Sequence, residues 1–159
     1  MLPFFLKSAE LSPPNWLKRA TPKATFTYDP TVFCAGLPTC GPLQVSYANW
    51  ADPTNTWFAV ALQAIGLAKN PLGFNSGFLS GGAYTTETIS PQAVRSSSES
   101  SYLAEALQWT QIKVYNRTLA SKILISSGKA TGVSVSTGGT SYTLTARKEV
   151  ILSAGTFHS

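Results

Sequence analysis

Residues 146–159 have the sequence Ala-Arg-Lys-Glu-Val-Ile-Leu-Ser-Ala-Gly-Thr-Phe-His-Ser, and this stretch decides the fold class. Val150-Ile151-Leu152 is continuously apolar, a pattern typical of a strand that is buried on both faces inside a parallel sheet. The small residues Ser153-Ala154-Gly155 follow, so a ligand's phosphates or ribose can approach the backbone at the carboxyl end of this strand. The stretch predicts part of a nucleotide-binding sheet; the alternative is a purely structural packing of small residues.

In the residues before this stretch, apolar and polar side chains alternate with a period of two, which indicates β-strands. We predict a short apolar strand at 112–115 and three further strands at 119–125, 130–136 and 140–146. The turns between the last three contain Ser127-Gly128 and Gly138-Gly139, and glycine suits tight hairpin turns because it tolerates positive φ. The pattern predicts a three-stranded antiparallel meander with one face in water.

Residues 1–111 are rich in proline and loops, with helical segments between them. We predict a short helix over residues 2–9, a half-buried strand over 43–47 and an irregular loop over 73–90. A longer helix begins at Asp52-Pro53, because aspartate is a good N-cap and proline suits the first helical position. Its predicted buried face consists of Trp57, Phe58, Ala61, Leu62 and Ile65.

A further helix follows Ser96-Ser97-Ser98-Glu99, which matches a capping box in which a serine hydroxyl and a glutamate bond each other's backbone N–H groups. Its predicted buried side consists of Tyr102, Leu103, Ala106 and Leu107. Aromatic residues at Trp50, Trp57 and Tyr84 are candidates for lining a substrate entrance, although aromatic side chains mostly pack in cores.

The composition excludes several classes of protein. Of 159 residues, 43% are hydrophobic and only 12% are charged, which argues against disorder and against a coiled coil. The net charge of +5 is dispersed and no basic stretch is interleaved with aromatic residues, so we predict no nucleic-acid partner. The longest apolar stretch, 57–68, is shorter than the roughly 20 residues of a membrane span, and we predict no membrane partner. The first residues lack the basic region and cleavage site of a signal peptide.

Two cysteines, Cys34 and Cys40, lie close together in the sequence. A disulfide between them would stabilise the fold by ~2–2.5 kcal/mol on the chain-entropy model, and such bonds persist in oxidising compartments. The alternative is two free thiols in a loop. We predict no metal site, because the only histidine, His158, is distant in sequence and there is no second cysteine pair.

Several segments, taken in order, resemble one family of enzymes. Residues 146–159 are similar to the segment that opens the second signature of the glucose–methanol–choline (GMC) oxidoreductases, and 95–103 is similar to their Arg-x-Ser-Ser-x-x-x-Tyr-Leu motif. Other segments that fit are 41–47, 75–82, and the hairpin formed by 122–125 and 130–133. Together these segments cover nearly the whole chain.

The resemblance implies an FAD enzyme that oxidises small-molecule alcohols. A hydride would pass from the alcohol carbon to the flavin, while a histidine-containing pair removes the hydroxyl proton. The implied fold is an α+β or α/β fragment. Residues 1–111 would be part of an antiparallel-sheet substrate domain. Residues 112–159 would be part of a doubly wound FAD-binding domain, with the meander and one buried parallel strand.

The resemblance also sets limits on the site residues. The family's Gly-x-Gly-x-x-Gly turn and its catalytic histidines have no counterpart in this sequence, so we assign no catalytic residue. His158 follows the strand at a place where the family does not keep its base. The resemblance implies that Ala120 offers its backbone N–H and C=O to the adenine, and that Ala154 and Gly155 lie near the adenosine half of FAD. The alternative for Ala120 is a meander residue that faces the core.

We therefore expect an internal fragment of a larger enzyme that is inactive by itself. One alternative is a non-enzymatic, β-rich secreted binding module that uses the 73–90 loop and exposed aromatic residues. Another is a stand-alone remnant that associates with a full-length relative. Asn116-Arg117-Thr118 is a glycosylation sequon, which has meaning only in a secreted protein. With the Cys34/Cys40 pair, this sequon keeps an extracellular location open, and the sequence leaves the oligomeric state unassigned.

Overall fold

The computed structural model describes residues 2–34, 38–157 and 159. The chain forms two compact units, Met1–Ile112 and Lys113–Ser159, which we describe separately. Both parallel and antiparallel strand pairs occur, and helices are present in the first unit, so the chain is a mixed α/β protein. Among the described residues, no helix is both long and apolar enough to cross a membrane.

The first unit begins with helix α1, Leu2–Leu6, which is shorter than the predicted helix over 2–9. Strand β1, Ala9–Leu11, follows at once and pairs in parallel with strand β2, Leu43–Val45. The predicted strand over 43–47 is thus present in its first three residues, after which Ser46 forms an isolated bridge to Glu87. The sequence did not predict β1, because three residues next to a helix are too few to show a two-residue period.

Helix α2, Pro53–Ala64, begins where the sequence predicts. The side-chain oxygen Oδ1 of Asp52 accepts a hydrogen bond of 2.7 Å from the backbone N–H of Thr54, which satisfies one of the free donors in the first turn. The predicted burial is wrong: Trp57 is 58% exposed and Ile65 81% exposed. Only Thr56 of this helix is buried, because the first unit holds too few packed elements to cover the apolar face.

The next helical segment consists of a π-helical turn, Glu99–Leu103, followed by helix α3, Ala104–Trp109. The capping residues differ from the predicted Ser96 and Glu99. Ser97 and Ser100 exchange the bonds instead, since each hydroxyl accepts from the other residue's backbone N–H at 2.9 and 3.2 Å. Short serine side chains can reach these groups directly, so the glutamate is not needed.

The buried side of this segment also differs from the prediction. Ser101 is buried, whereas Tyr102 is 45% and Leu107 54% exposed. The prediction assumed 3.6 residues per turn, and the wider π-helical turn changes which side chains face inward. Tyr102 still makes a tertiary contact, because its hydroxyl donates a hydrogen bond to the backbone carbonyl of Ser8.

Two further features of the first unit concern its loops. The loop over 73–90 is irregular, as the sequence predicts, and contains only a 3₁₀ turn, Phe74–Ser76, and isolated bridges. Cys34 and Cys40 form a disulfide with their Cα atoms 5.1 Å apart, so of the two alternatives the structure has the bond. Near this disulfide, the backbone N–H of Cys34 donates to the carbonyl of Leu6, which ties the loop to α1.

The second unit is built on the predicted meander. Strands β3 (Thr118–Ser126), β4 (Lys129–Thr137) and β5 (Thr140–Thr145) pair antiparallel in the order β3-β4-β5. Ser127 and Gly128 have φ of 49° and 76°, and Gly138 and Gly139 have φ of 57° and 84°. Both hairpins therefore turn through the positive-φ conformations that their sequences predict.

One glycine inside the sheet allows β4 and β5 to approach closely. A Cβ at Gly132 would overlap the carbonyl oxygen of Leu144 and lie 3.2 Å from the Cα of Thr145. Next to it, Val133 pairs with Leu144 and Val135 with Tyr142. Val135 is only 4% exposed and is the most buried apolar side chain that the structure describes in this unit.

Two predicted strands are not strands in the structure. Residues 112–115 and Val150-Ile151-Leu152 are without helix or strand structure, and no described residue pairs with either segment. Ile151 is 78% and Leu152 51% exposed, so the predicted burial of the last segment is also wrong for this chain. A strand needs a partner for its backbone N–H and C=O groups, and neither segment pairs with the free edge of β3 or of β5.

The N-cap of α2 can be tested directly. We expect Asp52→Ala to lower the free energy of unfolding of the first unit by about 1 kcal/mol, because the N–H of Thr54 loses its acceptor. Asp52→Asn should keep nearly the full stability, since asparagine caps equally well. Urea denaturation followed by circular dichroism measures both, and equal losses for the two variants would contradict this assignment.

Candidate functional sites

Ala120 lies on β3, which is an edge strand of the meander. The residue is exposed and pairs with Val135, and the register shifts between Ala120 and Lys122. The extra residue is Ser121, whose hydroxyl donates a hydrogen bond of 3.2 Å to the carbonyl of Ser134. An edge strand presents a row of unpaired backbone N–H and C=O groups on its outer side. The β3 edge can thus offer backbone contacts to a planar ring such as adenine.

Ala154 and Gly155 lie in the segment that follows the meander, and both are exposed. Gly155 has φ of 95°, a conformation that any other residue adopts only with strain. Its backbone carbonyl accepts a hydrogen bond of 2.9 Å from the N–H of Ser159. Apart from the two chain neighbours of Gly155, no described residue has a heavy atom within 4 Å of where a Cβ would stand, so this backbone is open to a large ligand.

These segments can offer backbone contacts to a ligand, but they offer no side chain for a reaction centre. The exposed Ala120, Ala154 and Gly155 carry no functional group, so what they can offer is backbone and open surface. His158, the only histidine, lies outside the described residues. Among the residues that the structure describes, no group of three histidine, cysteine or acidic side chains is placed to bind a metal ion.

A second candidate site is an aromatic cluster around Arg19 in the first unit, which the sequence analysis did not find. The Arg19 guanidinium lies 4.9 Å from the ring centre of Tyr84 and 5.3 Å from that of Phe26. Phe26 in turn packs on Tyr47, with ring centres 4.6 Å apart, and Tyr28 packs on Tyr47 at 5.3 Å. Such cation–π contacts gain strength when the cation is removed from water, and Arg19 is only 4% exposed.

The charge of Arg19 is incompletely paired. Its Nη1 donates to the backbone carbonyl of Ala48, whereas Nε and Nη2 are buried without a hydrogen-bond partner among the described residues. The hydroxyl of Tyr84 is also buried without a hydrogen-bond partner among the described residues. Burial lowers the pKa of the Arg19 guanidinium, and nearby Tyr84 partly offsets this effect. The cluster therefore keeps a cation in a poorly solvated, aromatic environment.

A cavity of about 570 Å³ borders this cluster. Its wall includes Phe26, Tyr84, Phe58, Lys23 and Lys69. None of the described residues that line it is acidic, so its polar groups favour a neutral or anionic molecule over a cation. Of the three aromatic residues predicted at a substrate entrance, Tyr84 lines the cavity; Trp50 and Trp57 do not, and are 63% and 58% exposed.

The sequence contained a weak signal for this cluster. Phe26 and Tyr28 are separated by one residue, a spacing that places both rings on the same side of an extended chain. Arg19 precedes Phe26 in an irregular segment without a periodic pattern, whereas Tyr47 and Tyr84 are distant in sequence and only the tertiary fold brings them to Phe26. No local pattern could have shown that the cationic group is buried.

A family model described as GMC oxidoreductase matches residues 8–159. The chain belongs to this family. It is 45% identical to a glucose methanol choline oxidoreductase of Aspergillus terreus, 42% identical to a patulin synthase of Aspergillus clavatus and 40% identical to a versicolorin B synthase of Emericella nidulans. These alignments cover 99–100% of this chain and 25% of each relative, so the chain spans about a quarter of the length of these relatives.

Two solved structures share the fold of this GMC chain. An FAD-dependent oxidoreductase from Chaetomium thermophilum superposes with a TM-score of 0.78 at 27% identity, over 97% of this chain and 26% of that one. A fungal aryl-alcohol oxidase gives the same TM-score of 0.78 at 22% identity, over 97% of this chain and 25% of its own, and shows the likeness of fold alone. The family match and the first of these structures support FAD as the cofactor.

The aromatic cluster makes a testable prediction about alkaline pH. Burial raises the pKa of Tyr47 from 10.0 to about 12. The fold thus favours the neutral phenol, and this contribution to the free energy of unfolding is complete below pH ~10 and is lost as the pH rises to about 12. Denaturant unfolding measured across this pH range should show that the free energy of unfolding of the wild-type chain declines as the pH rises. The decline should be shallower in Tyr47→Phe. A Tyr47→Phe profile identical to that of the wild type would contradict the prediction.

Proposed function

We propose that this chain is an internal part of an FAD-dependent oxidoreductase that oxidises the CH–OH group of small-molecule alcohols. The observation that carries the proposal is the GMC oxidoreductase match over residues 8–159. The fold shared with an FAD-dependent oxidoreductase of 27% identity supports it. Both favour this function over the non-enzymatic binding module that the sequence left open.

The two units have different roles in this proposal. Residues 1–111 belong to the substrate domain, and 112–159 belong to a doubly wound FAD-binding domain. In that domain the exposed Val150-Ile151-Leu152 forms a parallel strand between partners supplied by the rest of the enzyme. Its exposure in this chain supports the idea, because a continuously apolar segment is stable in water only when other elements cover it.

The adenosine half of FAD lies against the second unit in this proposal. The backbone of Ala120 bonds the adenine from the open edge of β3, and Ala154 and Gly155 leave room for the ribose. Backbone groups bind without a side chain, so alanine at position 120 is compatible with this role. These backbone groups would hold the adenosine half of FAD, whose flavin would supply the hydride acceptor for alcohol oxidation.

The chain itself supplies binding and orientation rather than proton transfer. We assign it no catalytic residue: the histidine pair that the family uses, and the glycine-rich turn that holds the FAD pyrophosphate, belong to other parts of the enzyme. In this proposal the chain by itself therefore lacks the contacts to the pyrophosphate and the proton-transfer groups, and it is inactive.

The contact at Gly155 predicts a specific loss of cofactor. In the enzyme that carries this chain, we expect Gly155→Ala to weaken FAD binding roughly five- to thirtyfold, because a side chain at φ of 95° costs about 1–2 kcal/mol and displaces this backbone. Gly139→Ala is the matched control, since Gly139 has φ of 84° but lies in a hairpin turn. Flavin absorbance per protein after dialysis measures both; equal FAD loss in the two variants would show that strain alone is responsible.

The function itself can be tested by comparing two proteins. We expect the complete enzyme to contain flavin and to lose its flavin absorbance when an aryl or alkyl alcohol is added without oxygen, because hydride transfer reduces the ring. The 159-residue chain purified alone should show neither flavin absorbance nor alcohol oxidation. Retention of stoichiometric FAD by the short chain would refute the assignment of the missing contacts. An FAD-loaded enzyme that no alcohol reduces would refute the substrate class.

A further inference from the structure

We propose that Asn116 is an N-glycosylation site and that the chain folds in an oxidising secretory compartment. The site is Asn116-Arg117-Thr118, which has the acceptor pattern Asn-x-Thr without a proline between. It is the only such pattern in the sequence, because none of the other asparagines (Asn15, Asn49, Asn55, Asn70 and Asn75) has serine or threonine two positions later. This inference does not depend on the proposed enzymatic function.

The structure places the acceptor asparagine where a glycan can be accommodated. Residues 111–115 have no helix or strand structure, and Asn116 and Arg117 form the turn that leads into β3. Both turn residues are exposed, and Arg117 has φ of 50°, typical of a tight turn. A bulky, polar glycan on an exposed turn leaves the strand pairs of the meander intact, which is why such modifications are found on surfaces.

The hydroxyl that defines the acceptor pattern is held next to this turn by the sheet. Thr118 Oγ1 donates a hydrogen bond of 2.9 Å to the backbone carbonyl of Asn116, and it lies 2.7 Å from the hydroxyl of Thr137 on β4. Thr137 Oγ1 is in turn 3.0 Å from the hydroxyl of Tyr142 on β5. These bonds involve the carbonyl of Asn116, so they fix the backbone of the turn without using the carboxamide that carries the glycan.

A second, independent observation concerns the compartment. Cys34 and Cys40 form a disulfide, and such bonds persist in secreted proteins but are rare where glutathione and thioredoxin keep thiols reduced. The disulfide lies in the first unit and the acceptor site in the second, so neither feature is a structural consequence of the other. Both follow from one cause if the chain passes through the secretory pathway.

The modification is a group transfer from a lipid-linked oligosaccharide diphosphate. The carboxamide nitrogen of Asn116 forms a bond to the anomeric carbon of the first sugar, and the bond from that carbon to the diphosphate oxygen breaks. The lipid diphosphate leaves with the electron pair, and the nitrogen loses one proton to a base of the transferase. No oxidant or reductant takes part in this step.

The test uses the full chain with a secretion signal, expressed in a eukaryotic host. We expect the secreted protein to run as a heavier species that peptide N-glycosidase converts to the unmodified mass, with Asn116 becoming aspartate. Asn116→Gln and Thr118→Ala should abolish the heavier species. Thr118→Ser is the matched control for Thr118→Ala and should retain it, because serine keeps the hydroxyl that the acceptor pattern requires.

Translation in vitro with microsomes provides a second measurement, because it does not require the chain to fold or to be secreted. A heavier species that depends on Asn116 in either system supports the proposal. A wild-type chain that stays unmodified in both, or a heavier species that persists in Asn116→Gln, would overturn it. Titration of free thiols in the secreted protein tests the disulfide on which the compartment argument rests, and two reactive thiols at Cys34 and Cys40 would contradict that part.

Discussion

A β-strand exists only where a neighbour satisfies its backbone N–H and C=O groups, and this requirement governs the whole second unit. β4 has partners on both sides and contains the buried Val135, whereas β3 and β5 each have one free edge. Val150-Ile151-Leu152 has the composition of an interior strand, but no described residue pairs with it. The same physical rule therefore explains why the three strands of the meander form together and why the outer edges of β3 and β5 keep unpaired backbone groups.

The first unit packs differently, because a cluster of aromatic rings around a cation lies beside small buried aliphatic side chains such as Val45 and Ala51. Phe26 contacts Trp16, Tyr28, Tyr47 and Tyr84, and Arg19 lies over two of these rings. Polar contacts also occur in this unit. Thr21 Oγ1 donates a hydrogen bond of 2.7 Å to the backbone carbonyl of Ala51. The side-chain oxygen of the buried Asn70 accepts hydrogen bonds from the backbone N–H groups of Leu72 and Gly73. A buried, underbonded charge is costly, and the surrounding rings offset part of that cost.

The sequence predicted what depends on local patterns and failed where tertiary partners decide. The meander, both of its turns and the start of α2 followed from two-residue alternation, glycines and Asp52-Pro53, all of which act over a few residues. Burial of Trp57 and Ile151 was predicted wrongly, because an apolar pattern shows that a side chain needs cover and not that the described chain supplies it. The Arg19 cluster was missed because its members are far apart in sequence. The proposed FAD contacts at Ala120, Ala154 and Gly155 rest on the family resemblance, since backbone contacts leave no mark in side-chain chemistry.

The close approach of β5 to β4 at Gly132 has a consequence for how this protein can vary. Strand positions normally tolerate many β-branched or aromatic side chains, yet here even a methyl group would collide with the carbonyl oxygen of Leu144. A related sequence with a larger residue at this position must separate the two strands or shift their register by a bulge. A glycine at position 132 of a homologous sequence therefore indicates that β4 and β5 approach each other as closely as they do here.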